Sequence, residues 1–194
     1  MQRLSEVVSQ ADPVKILLSG SGGQGLILSG IILASAAIAD GRCAVQTQVY
    51  GPEARGGASR AEVIIGSEHI NYPHVDRPDI MLALTQEALD KYLRTVWEKG
   101  IVIVDQLLVG SIPETQVDVY RLPIIETAKQ VVGKEVTANI VALGALNQAT
   151  GLVSWPALEK AVLERVPAAM AELNKSALAA GMDLVSRQGE GKEG

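Results

Sequence analysis

The stretch GSGGQG at residues 20–25 has the spacing Gly-x-Gly-x-x-Gly, a pattern that can bind phosphate when a strand precedes it and a helix follows. A short apolar run, 15–18, comes before the glycines, and an almost wholly apolar run, 26–39, comes after them, so a strand, a tight turn and a helix are predicted. Backbone N–H groups at the start of such a helix are open to an anion. The candidate ligand residues of this loop are Gly20, Gly22, Gly23, Gln24 and Gly25.

Two features tell against a dinucleotide site. Such a site needs an Asp or Glu roughly 20 residues further on, at the end of the second strand, to bind a ribose hydroxyl. The predicted second strand, 44–49, ends in Gln46, Gln48 and then Tyr50, so the acid is missing, and the Gly-Lys-Ser/Thr of a Walker loop is also absent. The alternative is that the glycines serve a tight turn. In that case Gly23→Val should damage folding, through a clash between strand and helix or through an unfavourable backbone angle.

Metal and cluster chemistry have few candidate ligands in this chain. Cys43 is the only cysteine, so neither a disulfide, a zinc site nor a cysteine-ligated iron–sulfur cluster can be built within the chain. His69 and His74 have no acidic or imidazole partner at a defined spacing and are expected in a surface loop. We therefore assign no catalytic residue and no metal ligand.

The composition favours one α/β domain. With 194 residues, 47% of them hydrophobic, the chain has material for one core, and residues 1–188 are expected to form a single domain followed by a disordered tail, 189–194. Phenylalanine is absent, so the core must be built from aliphatic side chains, which suits a parallel sheet covered by helices. A net charge of −5 argues against nucleic acid or an anionic membrane as partner. With no long apolar span and no signal-peptide pattern, a cytoplasmic protein is expected.

Further elements follow from periodicity and turn residues. Alternation in 59–65 predicts a strand with one less buried side, forming a hairpin with the second strand. A helix is predicted over 86–98, ended by Gly100. Other predicted strands are 80–84, 101–104 and 117–122, and other predicted helices are 137–150, 155–166 and 168–187. The predicted fold is a Rossmann-like, mostly parallel sheet flanked by helices, with a helical C-terminal segment whose small residues Ala138, Ala142, Ala145 and Ala149 allow close packing.

The stretch GGQG at 22–25, together with QVYGPEARGGAS at 48–59, resembles the gamma subunits of 2-oxoacid:ferredoxin oxidoreductases. The resemblance extends through PDIMLAL at 78–84 to Asn139, and so covers at least residues 15–150. Pyruvate-type gamma subunits usually carry a Phe-Gly loop with two successive arginines and then Gly-Ala-Pro, and indolepyruvate-type subunits carry a His-Gly loop. The sequence YGPEARGG at 50–57 is most similar to the 2-oxoglutarate type.

This resemblance implies a subunit of a larger oxidoreductase rather than a self-sufficient enzyme. The complex would oxidatively decarboxylate a 2-oxoacid, in this subtype 2-oxoglutarate, to an acyl-coenzyme A and reduce ferredoxin. Thiamine diphosphate, Mg²⁺ and iron–sulfur clusters would reside on thiamine-binding alpha and beta subunits, with or without a ferredoxin-like delta subunit. This chain would bind no cofactor alone and would be inactive in isolation. The rival hypothesis is a stand-alone nucleotide-binding Rossmann-like protein, regulatory or oxidoreductase.

The loop 50–57 is the second candidate region, because it follows the second strand at the sheet edge where open α/β sheets bind ligands. The Arg55 guanidinium could present its planar fork to a phosphate or carboxylate, for example on coenzyme A. Alternatively, Arg55 pairs with Glu53 or Glu62 and the loop contacts a partner subunit, which is the role favoured for the loop as a whole. The ligand-or-interface residues of this loop are Tyr50, Gly51, Glu53, Arg55, Gly56 and Gly57.

Overall fold

The computed structural model describes residues 12–49 and 59–190, and the ranges 1–11, 50–58 and 191–194 lie outside the described residues. The strands are β1 (Val14–Gly20), β2 (Cys43–Val49), β3 (Ser59–Gly66), β4 (Ile80–Ala83), β5 (Ile101–Asp105) and β6 (Asp118–Leu122). The helices are α1 (Leu26–Ala39), α2 (Gln86–Tyr92), α3 (Ile124–Gln130), α4 (Ala138–Thr150), α5 (Trp155–Leu163) and α6 (Ala171–Glu190). Short 3₁₀ turns occupy Leu93–Thr95, Glu135–Thr137 and Ala168–Met170.

The six strands form one sheet in the order β2-β3-β1-β4-β5-β6. The strands β1, β4, β5 and β6 pair in parallel, whereas β3 pairs antiparallel with both β1 and β2. Consequently β2 runs in the same direction as β1, and β3 alone is reversed. The predicted mostly parallel sheet and the predicted hairpin of the second and third strands are both confirmed.

The two faces of the sheet are covered unequally. Alternating residues of β1 point to opposite sides, so Ile16 and Leu18 join a large core with α1, α3, α4, α5 and α6, while Leu17 joins a smaller core with α2. The strands β4 and β5 are buried along their whole length. Near-continuous apolar strands of this kind are typical of a parallel sheet covered on both faces.

Helix α1 has the bounds that the sequence predicts, because its ends are set by local signals. Gly25 is its N-cap residue in the left-handed region, and Gly41, at φ 79°, follows its C-terminus. The amide of Gly41 donates to Ile38 and that of Arg42 donates to Ala37, each at 3.0 Å, which is the Schellman arrangement. Both helix ends thus depend on a glycine at a position that L-residues with a Cβ avoid.

The small residues predicted on α4 do form a close helix contact. A Cβ on Gly144 would meet the backbone oxygen of Leu178 on α6, and a Cβ on Gly181 of α6 would meet the backbone oxygen of Val141. All four predicted alanines of α4 are buried. The two backbones therefore approach within a distance that no larger side chain would allow at these positions.

Several predicted boundaries are wrong. The helix expected over 86–98 ends at Tyr92, because a 3₁₀ turn and then an extended Val96 follow it, and Gly100 instead packs against the backbone oxygens of Asp79 and Trp97. The side of β3 expected to be less buried is covered, since Glu62 and Ile64 are both buried. Helix α5 is shorter than predicted, and α6 is helical to Glu190, beyond residue 188.

Candidate functional site

The candidate site lies at the carboxyl edge of the sheet, between β1 and β4. The chain leaves β1 through α1 toward one side of the sheet and leaves β4 through α2 toward the other side. Open α/β sheets bind ligands in the crevice at such a point, where the direction of the strand order reverses. The loop 20–25 begins at the last residue of β1 and therefore borders this crevice.

The glycine loop is held closed by the side chain of Gln24. Its Oε1 accepts a hydrogen bond from the amide of Ser21 at 2.7 Å, and its Nε2 lies 3.5 Å from the backbone oxygen of Leu84, just after β4. A Cβ on Gly20 would collide with this Gln24 oxygen. Gln24 thus bridges the ends of β1 and β4, and Gly20 leaves room for it.

The loop turns into α1 through Gly25, where two constraints coincide. Gly25 has φ 73°, and a Cβ there would lie 2.7 Å from Nδ2 of Asn139 at the start of α4. That nitrogen is also 3.4 Å from the backbone oxygen of Gly25. Gly23 differs, because its φ is 87° but a Cβ would meet nothing within 4 Å. A Cβ at Gly23 therefore meets no clash, and the predicted unfavourable backbone angle is the constraint that the structure shows.

A cavity of about 360 Å³ opens beside this loop. The first residues of α4, Ala138 and Asn139, line the cavity, so this helix N-terminus contributes positive potential. The loop that leads into α1 lines it as well, and α1 has no side-chain cap. No lysine or arginine is among its lining residues in the described part of the chain. The lining residues are Gly22, Gly23, Gln24, Leu84, Leu108, Ile125, Glu135, Val136, Ala138 and Asn139.

Asp105, the last residue of β5, holds in place two segments that line the cavity, those of Leu108 and Ile125. One oxygen of its fully buried carboxylate accepts hydrogen bonds from the amides of Leu107 and Leu108, each at 2.9 Å. The other oxygen accepts from the amide of Ile125 at 2.8 Å, in the first turn of α3, whose N-cap residue offers no side-chain cap. One carboxylate thus orients two segments that line the cavity.

The second predicted region, residues 50–57, lies outside the described residues, and so do its site residues Tyr50, Gly51, Glu53, Arg55, Gly56 and Gly57. The described strands nevertheless show where this region begins and ends. Val49 of β2 and Ser19 of β1 both pair with Arg60 of β3, one on either side. The loop therefore starts and finishes at the same sheet edge as the glycine loop, as the sequence predicts.

An ion pair between Arg60 and the buried carboxylate of Glu62 lies at the start of β3, directly after that region. Glu62 pairs with Arg60, and its Oε2 also accepts from Thr47 Oγ1 at 3.1 Å and from the amide of Val75 at 3.2 Å. Arg60 donates to the backbone oxygen of Val75 at 2.9 Å, and its guanidinium lies 5.2 Å from the ring centroid of Tyr92. The Glu62 carboxylate, one of the two predicted partners of Arg55, is already neutralised by Arg60.

The strand order adds a geometric argument against a dinucleotide site. In that site the ribose-binding acid stands at the end of a strand adjacent to β1. Here β3 separates β2 from β1, which places the end of β2 about 10 Å from β1 at the usual strand spacing. The position beside the end of β1 is held by Ser59, whose backbone oxygen accepts from Ser19 Oγ at 3.0 Å, and by Arg60. An acid that binds ribose is therefore absent from this position among the described residues.

Metal ligands and membrane spans are also absent from the described part. No group of three His, Cys, Asp or Glu side chains there is placed to hold a metal ion. His69 and His74 are exposed, as predicted for a surface loop. Over the same residues, no helix has the length and apolar character needed to cross a membrane.

Some residues of the site were not singled out by the sequence pattern. Asn139 belonged to the family resemblance, but its contact with Gly25 joins segments 114 residues apart. Asp105 was predicted only as the end of a strand, although an aspartate directly after a buried strand is a recognised turn residue. Val136 carries no local signal, because its place in the cavity lining depends on how the 3₁₀ turn Glu135–Thr137 and α4 pack on the sheet.

Comparison with known proteins agrees with the family that the sequence resembles. The family model for pyruvate ferredoxin/flavodoxin oxidoreductase matches residues 15–184. The gamma subunit of a keto/oxoacid ferredoxin oxidoreductase from Geobacter sulfurreducens PCA has a solved structure with 51% identity and a TM-score of 0.82, over 90% of this chain and 99% of that one.

Curated relatives distinguish the subtypes. The 2-oxoglutarate synthase subunit KorC of Methanocaldococcus jannaschii is 47% identical, over 88% of this chain and 92% of its own length. The pyruvate synthase subunit PorC of Methanothermobacter marburgensis is 29% identical over 84% of this chain and 93% of its own length. The ketoisovalerate oxidoreductase subunit VorA of the latter organism is 36% identical over 69% of this chain, which corresponds to only 28% of VorA.

The family match spans most of the chain, and the similarity to KorC exceeds that to PorC, as the predicted 2-oxoglutarate type requires. The fold and the gamma-subunit resemblance are thereby confirmed. The chain belongs to the pyruvate ferredoxin/flavodoxin oxidoreductase family, as a subunit of the gamma type.

Proposed function

We propose that this chain is the gamma subunit of a multi-subunit 2-oxoglutarate:ferredoxin oxidoreductase. The reaction is the oxidative decarboxylation of 2-oxoglutarate to an acyl-coenzyme A, with transfer of the electrons to ferredoxin. The observation that carries the proposal is the 47% identity to a 2-oxoglutarate synthase subunit over nearly the full length of both chains. The match over residues 15–184 also supports one domain spanning 1–188.

The chemistry of this reaction is assigned to other subunits. Thiamine diphosphate stabilises the carbanion left by decarboxylation, and iron–sulfur clusters carry single electrons. A chain with one cysteine cannot ligate a cluster alone. We propose that thiamine diphosphate and Mg²⁺ are bound by alpha and beta subunits, with or without a ferredoxin-like delta subunit. A cytoplasmic location remains a prediction.

The role proposed for this chain is to complete the assembly through the sheet edge that bears both predicted loops. The ends of β1, β2 and β4 and the start of β3 meet at this edge. In this arrangement the loop 50–57 contacts a partner subunit, and the glycine loop is a structural turn that shapes the crevice beside it.

Contact with coenzyme A is a second candidate role, and the crevice is the observation that favours it. Its volume of about 360 Å³ accommodates part of such a molecule, and the loop residues Gly22, Gly23 and Gln24 that lead into α1 line it. The carboxylate of Glu135 opposes an anion there, although Lys129 lies 3.2 Å from it and offsets its charge. Coenzyme A would then lie between this chain and the partner subunit.

Purification from the native source through a tag on this chain tests the proposal. We expect larger subunits to be retained, with bound thiamine diphosphate, iron–sulfur absorbance and dye reduction that depends on 2-oxoglutarate and coenzyme A. Pyruvate should support less dye reduction than 2-oxoglutarate. Recovery of this chain alone, or of a complex that prefers pyruvate, would contradict the proposal.

The isolated chain provides the complementary measurement. It should be colourless and should not reduce a dye with any 2-oxoacid. Titration with nicotinamide and flavin nucleotides should give no saturable binding. Saturable binding with turnover would instead favour the stand-alone oxidoreductase.

A further inference from the structure

Two leucines in the turn after β5 are exposed to solvent. The side chain of Leu107 is 64% exposed and that of Leu108 is 39% exposed. Their amides are nevertheless bound to the buried carboxylate of Asp105, at 2.9 Å each. Arg121 Nη2 also donates to the backbone oxygen of Val109 in the same turn, at 2.8 Å. The exposure of the leucines is thus part of a turn fixed by buried hydrogen bonds.

A third exposed apolar side chain lines the same crevice. Val136 is 72% exposed, and both Val136 and Leu108 line the cavity beside the glycine loop. We call Leu107, Leu108 and Val136 the apolar rim. The described residues include six large apolar side chains that are exposed, and half of them belong to this rim. Clusters of exposed apolar side chains mark interaction sites more often than single ones do.

The rim fits a protein surface better than a small ligand. A molecule that filled the cavity would cover the inner sides of Leu108 and Val136, but Leu107 is not among the lining residues. Covering Leu107 therefore requires an occupant that extends over the outside of the turn. Buried apolar residues at the centre of an interface, with a polar rim around them, are the usual arrangement in protein complexes.

The relatives indicate which protein that is. In VorA the region similar to this chain is 28% of a longer polypeptide, whereas the Geobacter gamma subunit is 99% covered by this chain and so stands alone. In VorA the peptide chain connects the gamma-like region to the remaining part of the enzyme. A gamma subunit that is a separate chain must bind the equivalent part through non-covalent contacts. The occupant with which a gamma-type chain must associate is therefore a polypeptide equivalent to the remainder of VorA.

We propose that the apolar rim is the docking surface for the subunit equivalent to the remainder of VorA. This inference rests on the proposed function, because it presumes a multi-subunit complex. Asp105 acts as a positioning residue, since its carboxylate keeps the two leucines presented before the partner binds. Preorganisation of this kind lowers the entropy cost of association.

The test is association of this chain with the other subunits of the complex, measured with purified components. The rim variant is Leu107→Ser/Leu108→Ser/Val136→Ser. The control variant is Ile38→Ser/Tyr72→Ser, which removes two side chains of similar exposure, 59% and 58%, outside the rim. We expect the rim variant to raise the dissociation constant at least tenfold and the control variant to change it less than twofold. Melting temperatures of the isolated variants should match that of the natural chain.

If the triple variant does not fold, Leu107→Ser alone, which leaves the cavity lining unchanged, should still raise the dissociation constant severalfold. A rim variant that folds and binds as tightly as the natural chain would overturn the inference and leave the proposed function intact. Failure of the natural chain to bind any subunit would overturn the proposed function itself. Loss of a dimer of this chain, seen by sedimentation, with unchanged subunit binding would show that the occupant is a second copy and would also overturn the inference.

Discussion

The carboxylate of Glu62 is buried beside the guanidinium of Arg60, two positions away on the same face of β3, and the two groups form an ion pair. A quarter of the Arg60 side chain remains in water, and its Nε is buried without a hydrogen-bond partner among the described residues. Burial makes the loss of one partner costly, because the remaining charge is left uncompensated. Because this pair is imperfectly hydrogen-bonded, replacing both residues by uncharged side chains should change the free energy of unfolding only a little.

Removal of Arg60 alone should destabilise the chain more than removal of both charges. We expect Arg60→Met to cost about 2 to 3 kcal/mol, and Arg60→Met/Glu62→Gln to lie within about 1 kcal/mol of the natural chain. Glu98→Gln, in the exposed pair with Arg77, is the control and should cost about 0 to 1 kcal/mol. Urea denaturation at neutral pH provides the free energies of unfolding. A double variant as unstable as Arg60→Met would show that the uncompensated Glu62 charge is not the cause of the destabilisation.

The glycine loop makes a graded prediction. Gly25→Ala combines a positive φ with a clash against Asn139 and should cost about 2 to 3 kcal/mol. Gly23→Ala has only the positive φ and should cost about 1 to 2 kcal/mol. Gly22→Ala meets no atom and should change stability by less than about 0.5 kcal/mol. Thermal unfolding of the three variants tests this order, and a Gly22 variant as damaged as the Gly25 variant would contradict the described turn.

Asp79 should make stability fall as the pH rises through the acid range. Burial raises the pKa of its carboxyl above the usual value of 3.8, against the lowering effect of the hydrogen bond from the Lys15 amide. Because the folded state binds the proton more tightly than the unfolded state does, this contribution is present below the unfolded pKa and is lost as pH rises through the folded pKa. The stability of Asp79→Asn relative to the natural chain should therefore increase from about pH 4 toward neutrality.

Asp12 is the control for this pH dependence because its shift has the opposite sign. Hydrogen bonds from the side chain and amide of Ser67 lower the pKa of Asp12. Its contribution is present above the unfolded pKa and is lost as pH falls through the folded pKa. Asp12→Asn should therefore lose stability relative to the natural chain as the pH rises through this range. If both variants showed the same trend in denaturation series at several pH values, the assignment to Asp79 would be wrong.

Local signals in the sequence were sufficient for the helices and strands with distinct ends. The bounds of α1 followed from the glycines at each end, and the parallel sheet followed from the apolar strands. Burial that depends on contacts between distant segments could not be predicted from such local signals. The alternation of β3 predicted a less buried side, but Glu62 and Ile64 on that side are buried, and Glu62 is bound by Thr47 and the amide of Val75.

The candidate site was predicted only in part for the same reason. The glycine spacing and the strand ends predicted a site at this sheet edge, and a cavity lies beside the glycine loop there. The walls of the crevice come from α3 and α4, whose positions depend on the whole core rather than on local pattern. The roles of Asp105 and Asn139 therefore became apparent only from their hydrogen bonds across the fold.

Arg55 carries a prediction from the sequence alone, since it lies outside the described residues. Arg55→Ala should leave the stability of the isolated chain within about 0.5 kcal/mol, as expected for a surface substitution, and should lower turnover of the assembled complex. A raised Michaelis constant for coenzyme A with intact assembly would identify a ligand contact. Weaker subunit association would identify an interface contact. Wild-type assembly and kinetics would remove Arg55 from the site.

The central claim is that this chain is a required subunit that performs no redox chemistry alone. The direct measurement is ferredoxin reduction with 2-oxoglutarate and coenzyme A, using the remaining subunits prepared without this chain, while the purified chain is titrated in. We predict no activity from this chain alone, low activity from the other subunits, and a rise that saturates at a fixed stoichiometric ratio. Full activity of the other subunits without this chain, or 2-oxoacid-dependent reduction by this chain alone, would contradict the account.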